Sequence, residues 1–178
     1  MRYQSMMAAA VGCLLAGTAA NAPAADAKAD AGGMKMIPAV QATTTTVSRP
    51  VISARGAQSL LQAAQAMAER NHWGMSVTIV DDAGNLVAFL RMDGAPMGTI
   101  DVSRGKAVTA IKFKMPTSMV QQMVSGGGGM LTIPGITALT GGYPVMVNGQ
   151  VVGAIGVSGG LGDEDDRTAQ AALAAFKG

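Results

Sequence analysis

The dipeptide Asn148-Gly149, set between the apolar runs 145–147 and 150–157, narrows the choice of fold more than any other feature. A two-residue connection of type I′ needs positive φ at both central positions, which Asn and Gly accept most readily, and its twist suits antiparallel strands. Residues 145–157 are therefore predicted as a hairpin entered through Gly141-Gly142-Tyr143-Pro144, with Gly153 and Gly156 leaving the returning strand slim on one face. A second hairpin is predicted upstream. Residues 75–80 form its first strand, Asp81-Asp82-Ala83-Gly84-Asn85 its turn, and residues 86–92 its antiparallel partner. That turn is longer than two residues, so the pattern leaves its register open.

Helical periods surround both hairpins. Ala57, Leu60, Leu61, Ala64, Met67 and Ala68 lie at the spacing of one buried helix face. Ser53 is the expected N-cap of that helix, with an end near Asn71 and Gly74 as its stop. Ile100, Ala107, Val108 and Ile111 share a face of a second helix over residues 100–114. Gly105 inside it costs ~1 kcal/mol relative to Ala, so a close backbone neighbour is expected there. Residues 118–124 are read as one or two further turns, between Pro116-Thr117-Ser118 and the break at Gly126–Gly129. Ala169, Ala172, Leu173 and Phe176 mark a terminal helix whose first turn carries Asp163, Glu164, Asp165 and Asp166, as its dipole favours. Two hairpins separated by a helix, with helices at both ends, predict an α+β domain: an antiparallel sheet covered by helices.

The N-terminal third reads differently. Arg2 precedes an apolar stretch over residues 6–20, and Ala20-Asn21-Ala22 offers the small-x-small pattern of signal peptidase. Residues 1–22 are expected to be a cleaved signal peptide that sends the chain to the periplasm or beyond. The stretch is shorter than the ~20 residues a membrane helix needs. Val11-Gly12-Cys13 has the look of a lipoprotein signal, but Leu14 and Leu15 carry the apolar run past it. Residues 23–50, rich in Ala, Asp, Lys, Gly and Thr, are expected to be a flexible linker. Within it, Met34 and Met36 are read as incidental rather than as a soft copper-binding pair. Residues 51–178 are then the folded domain.

Composition removes several function classes. A net charge of +2 with only three Phe, two Tyr and one Trp lacks the basic, aromatic-interleaved surface of a nucleic-acid binder. One His excludes metal sites built from several imidazoles and any defensible Ser-His-Asp order. The segment Gly156-Val157-Ser158-Gly159-Gly160 lies where phosphate loops lie, yet neither phosphate-binding glycine pattern is present. The acids that follow would repel a phosphate. They are read instead as satisfying helix amides through Ser158 or Asp165, or as holding a hydrated cation weakly.

The ordered set Val80-Asp81-Asp82-Ala83-Gly84-Asn85-Leu86, Arg91-Met92-Asp93-Gly94-Ala95, Lys106-Ala107, Gly141-Gly142-Tyr143-Pro144 and Gly153-Ala154-Ile155-Gly156-Val157-Ser158-Gly159-Gly160 with Asp165 resembles the GlcG/HbpS family. Its members are similar to the C-terminal domain of PduO proteins and are also called haem-degrading or haem-binding. The resemblance covers nearly all of residues 51–178. It implies a profilin-like antiparallel sheet flanked by helices, homo-oligomers (octamers in some members), and haem or iron-related binding. Other members sit in catabolic operons such as glycolate use.

Haem iron takes an axial His, Met, Cys or Tyr. His72 is either a cap suited to a helix C-terminus or the metal ligand. Tyr143 is either a turn anchor or a ligand, and Met92, Met97, Met130 and Met146 are read as core or pocket filler. Arg91 and Lys106 are candidates to hold propionates or a small organic acid, with an Arg91–Asp93 ion pair as the plainer alternative. Three roles are thus expected: an exported haem-binding protein with weak haem-degrading or peroxidative chemistry, an accessory protein or enzyme for a small organic acid, or a structural homo-oligomer without a ligand.

Overall fold

The computed structural model describes residues 45–127 and 129–178. The expected signal peptide, Cys13, Met34, Met36 and the expected linker up to residue 44 lie outside the described residues. Among the described residues no helix is long and apolar enough to cross a membrane. Chain order is α1 (Ala54–Arg70), β1 (Ser76–Asp81), β2 (Leu86–Arg91), α2 (Gly98–Phe113), α3 (Thr117–Ser125), a 3-10 turn (Gly129–Thr132), β3 (Gly142–Val147), β4 (Gln150–Ser158) and α4 (Gly162–Ala175).

Both predicted hairpins form, and antiparallel pairing of β1 with β4 fuses them into one sheet of order β2-β1-β4-β3. Asn148 and Gly149 have φ of 49° and 76°, as a type I′ turn requires. The longer turn is organised by Asp81, whose Oδ1 accepts from the amides of Ala83 (2.9 Å) and Asn85 (2.8 Å). Partial burial lifts the Asp81 carboxyl, but the hydrogen bonds from Asn85, Ala83 and Gly84 together hold its pKa below the usual carboxylate value.

Strand alternation sorts the sheet into two faces. Val77, Ile79, Ile155 and Val157 pack with Leu60, Leu61 and Ala64 of α1 and with Ala169 and Ala172 of α4. On the other face Val80 and Ala154 meet Ala107, Ala110 and Ile111 of α2. That second layer is made of small residues and hydroxyls. Ser76 pairs with Thr99 at 2.7 Å, and Thr78 with Ser103 at 2.8 Å, all four buried. A Cβ built on Gly156 would strike the carbonyl oxygen of Ser103 and lie 2.5 Å from the amide nitrogen of Ala107. The close neighbour expected for Gly105 is the side chain of Thr137.

This tight approach puts Lys106 inside the protein. Its ammonium, 2% exposed, donates to Asp165 Oδ2 at 2.6 Å and to the Val157 carbonyl at 2.8 Å. Asp165 Oδ1 accepts from the Gly160 amide at 2.9 Å. Burial pushes the Asp165 carboxyl up, while Lys106 and the amides of Gly160 and Gly159 pull the other way. One ion pair therefore ties α2, β4 and the start of α4 together.

Several expectations are corrected. Gly74 does not stop α1, because the left-handed residue is His72. A Cβ on Gly74 would press within 3.1 Å of the backbone at Gly94 and Ala95, so close approach is what this glycine permits. Strand β3 begins at Gly142, taking in residues read as its approach, and Phe176 is the C-cap of α4 rather than a member.

Gly156→Ala should destabilise the fold by about 3 kcal/mol, because backbone rather than a flexible side chain blocks the methyl; a urea midpoint equal to that of the unaltered chain would contradict the close approach. Lys106→Met alone should cost roughly 3–5 kcal/mol by stranding a buried carboxylate, and Lys106→Met with Asp165→Leu should recover most of it. Strict additivity in a denaturation double-mutant cycle would show that the two side chains are not coupled.

Candidate functional site

Helix α1 carries its apolar stripe until Ala68, and the chain must then turn to enter β1. It does so with two reversed hydrogen bonds: the His72 amide donates to Glu69 (3.1 Å) and the Trp73 amide to Ala68 (3.0 Å). That is a Schellman ending, which requires a left-handed residue and usually takes Gly. Here His72 fills it with φ 59°, at a cost of roughly 1 kcal/mol. The imidazole is exposed. Lys114 at the end of α2 and Asn148 in the hairpin turn adopt the same conformation, with φ of 52° and 49°.

Trp73 is half-buried against the main core, and α4 brings Arg167 over it. The Arg167 guanidinium carbon lies 5.0 Å from the centre of the indole, within cation–π range. Arg167 also reaches Asp163 Oδ2 at 3.5 Å. Trp73, Arg167 and Asp163 thus form one surface corner where the chain leaving α1 through His72 meets the start of α4. Sequence reasoning singled out His72 and not Arg167, since nothing local links residues this far apart.

The remaining candidates lie elsewhere. Arg91 ends β2 opposite Ser76, on the α2 side of the sheet, and its Nε donates to the Ala95 carbonyl at 3.1 Å. Its expected ion pair with Asp93 is not among the ion pairs formed by the described residues. Lys106 is committed to Asp165, so it does not converge with exposed Arg91 on an anion. The organic-acid reading relied on that convergence.

The Tyr143 hydroxyl donates to Asp166 (2.9 Å) and accepts from Gln170 (2.8 Å). Burial, with help from the Asp166 carboxylate, raises its pKa above the ordinary 10.0 despite the Gln170 bond. The phenol is held protonated and anchors β3 to α4. Met92 packs against the core, whereas Met97 (75% exposed) and Met146 (46%) are surface residues rather than filler; Met130 is half-buried.

The acids at the start of α4 are mostly engaged. Glu164 caps the Leu161 amide at 2.7 Å, Asp165 holds Lys106, and Asp166 holds Tyr143. Among the described residues no three His, Cys, Asp or Glu side chains are grouped to hold a metal ion. A cavity of about 540 Å³ opens at the N-terminal end of α1, beside Ile52, Arg55, Val147 and Phe176. A smaller one of about 390 Å³ is lined by Ser118, Gln121, Gln122, Ser125 and Thr140. Neither contains His72, Arg91, Lys106 or Tyr143, and the 17 residues of α1 separate the larger cavity from His72 by about 25 Å.

Protein GlcG of Escherichia coli (strain K12) is 38% identical over 112 residues, covering 62% of this chain and 84% of GlcG. A double mutant of HbpS from Streptomyces reticuli has the same fold, with TM-score 0.71 and 31% identity over 81% of this chain and 99% of that one. The structure of a PduOC–haem complex matches with TM-score 0.67 and 27% identity, over 71% of this chain and 96% of that one. A family model described as "Haem degrading protein HbpS-like" matches residues 52–174, nearly the whole of the sheet with its helices, and the chain therefore belongs to the HbpS-like family.

Proposed function

We propose that this protein is an exported haem-binding protein in which His72 would ligate the iron. The observation that carries the reading is the exposed His72, the chain's single His, on the left-handed turn that ends α1 and next in sequence to Trp73. Family membership and the likeness to a PduOC–haem complex support it.

The donor set fits the group. An imidazole is a common ligand to haem iron, and Arg167, over the ring of Trp73, offers positive charge to the propionates. Because this corner is open rather than enclosed, a second copy of the chain is the natural source of the opposite wall. We accordingly propose a homo-oligomer. Bound haem would supply one-electron iron chemistry; the protein's own part is to bind and orient it and to set its exposure to water. Export rests on the signal-like segment 1–22.

Titration of the full chain with haemin should give a shifted Soret band, and His72→Ala should abolish the shift while leaving the fold intact, since His72 makes no side-chain contact on which the core depends. A spectrum unchanged by haemin would sink the haem reading, and an unaltered shift in the variant would remove His72 from it. Light scattering with and without haemin should report an assembly larger than one chain; N-terminal sequencing of the chain recovered from a periplasmic fraction should begin after Ala22.

A further inference from the structure

Arg167 is firmly placed but weakly bonded. The indole of Trp73 fixes where the guanidinium sits, yet its contacts with Asp163 are long: 3.4 Å from Nε to the carbonyl and 3.5 Å from Nη2 to Oδ2. Both lie at the outer limit of hydrogen bonding. The two side chains are 55% and 72% exposed, so little is lost when they separate. Of the acids at residues 163–166, three have other partners: Glu164 caps Leu161, Asp165 faces Lys106, and Asp166 binds Tyr143 and Gln170. Asp163 alone is left to compete for Arg167. Trp73 follows His72 directly in the chain, so the residue proposed to hold iron is next in sequence to the ring that carries this planar cation.

Resting on the haem reading above, we infer that Arg167 exchanges Asp163 for a carboxylate of the ligand, making this corner selective for a tetrapyrrole with free propionates. A guanidinium meets a carboxylate best through two parallel N–H···O bonds, which the strained reach to Asp163 does not provide. A free propionate can approach from solvent and align with both donors. Stacking on Trp73 restricts the side chain in advance, so less rotamer freedom is lost when the ligand arrives. Asp163 then acts as an internal competitor that lowers affinity for the ligand.

The test compares haemin with haemin dimethyl ester, whose propionates are blocked, in one detergent-containing buffer. Both are titrated into the full chain and into its Arg167→Gln, Arg167→Lys and Asp163→Asn variants. Arg167→Gln should weaken haemin binding about fivefold and leave the ester unaffected. Arg167→Lys should restore part of the loss, since charge is kept and the planar fork is not. Asp163→Asn should tighten haemin binding and leave the ester alone, and this arm decides the matter even if Arg167→Gln folds poorly. Equal weakening of haemin and ester in Arg167→Gln, or a haemin affinity unmoved by both Arg167→Gln and Asp163→Asn, overturns the inference while the haem reading stands. If the unaltered chain binds neither compound, the haem reading falls and this inference with it.

Discussion

The architecture depends on how closely α2 lies against β4. At Gly156 the strand presents no side chain, and the helix backbone around Ser103 and Ala107 occupies the space one would need. Everything on that face follows from this distance. Around Gly156 small side chains fill the gap between helix and sheet, so Ser76, Thr78, Thr99 and Ser103 meet as hydroxyl pairs, and Lys106 is buried. A buried ammonium is tolerated only when paired and hydrogen-bonded. Asp165 and the Val157 carbonyl meet that condition. Replacing this arrangement with an apolar one need not weaken the fold, so its role is better seen as specifying how α2, β4 and α4 are placed.

That placement bears on the surface corner. Asp165 is fixed near the start of α4, and two residues later Arg167 emerges over Trp73. Tyr143, tied to Asp166 and Gln170, secures the same helix from β3. Two groups that looked like ligand-holding residues in the sequence, Lys106 and Tyr143, thus have partners within the fold that set the geometry in which Trp73 and Arg167 come together.

Membership of the HbpS-like family and the likeness to a haem complex direct attention to an imidazole, but the larger cavity lies at the far end of α1. An exposed corner binds a large planar ligand well only if something covers its other face. Haem binding and self-association are therefore physically linked in the proposed reading: the second would complete what the first requires.

Much of this fold was legible in local sequence. Asn148-Gly149 determined one hairpin because few residue pairs accept two positive φ angles; the stripe of α1 and the Ser53 cap, whose Oγ accepts from the Gly56 amide at 3.1 Å, followed from helix periodicity. Gly105 signalled a close neighbour, though not that it would be Thr137. What sequence left undecided were relations between distant segments. Pairing of β1 with β4, which fuses the hairpins, has no local signature. Lys106 and Asp165 are separated by 59 positions, and no spacing rule distinguishes a lysine that finds a buried carboxylate from one that reaches solvent. Arg91 and Lys106 appeared equivalent as cations until burial separated them. Sequence alone determined the elements and their order, because backbone conformation answers to near neighbours; tertiary structure decided which charges remain available to a ligand, because desolvation depends on what packs above each one.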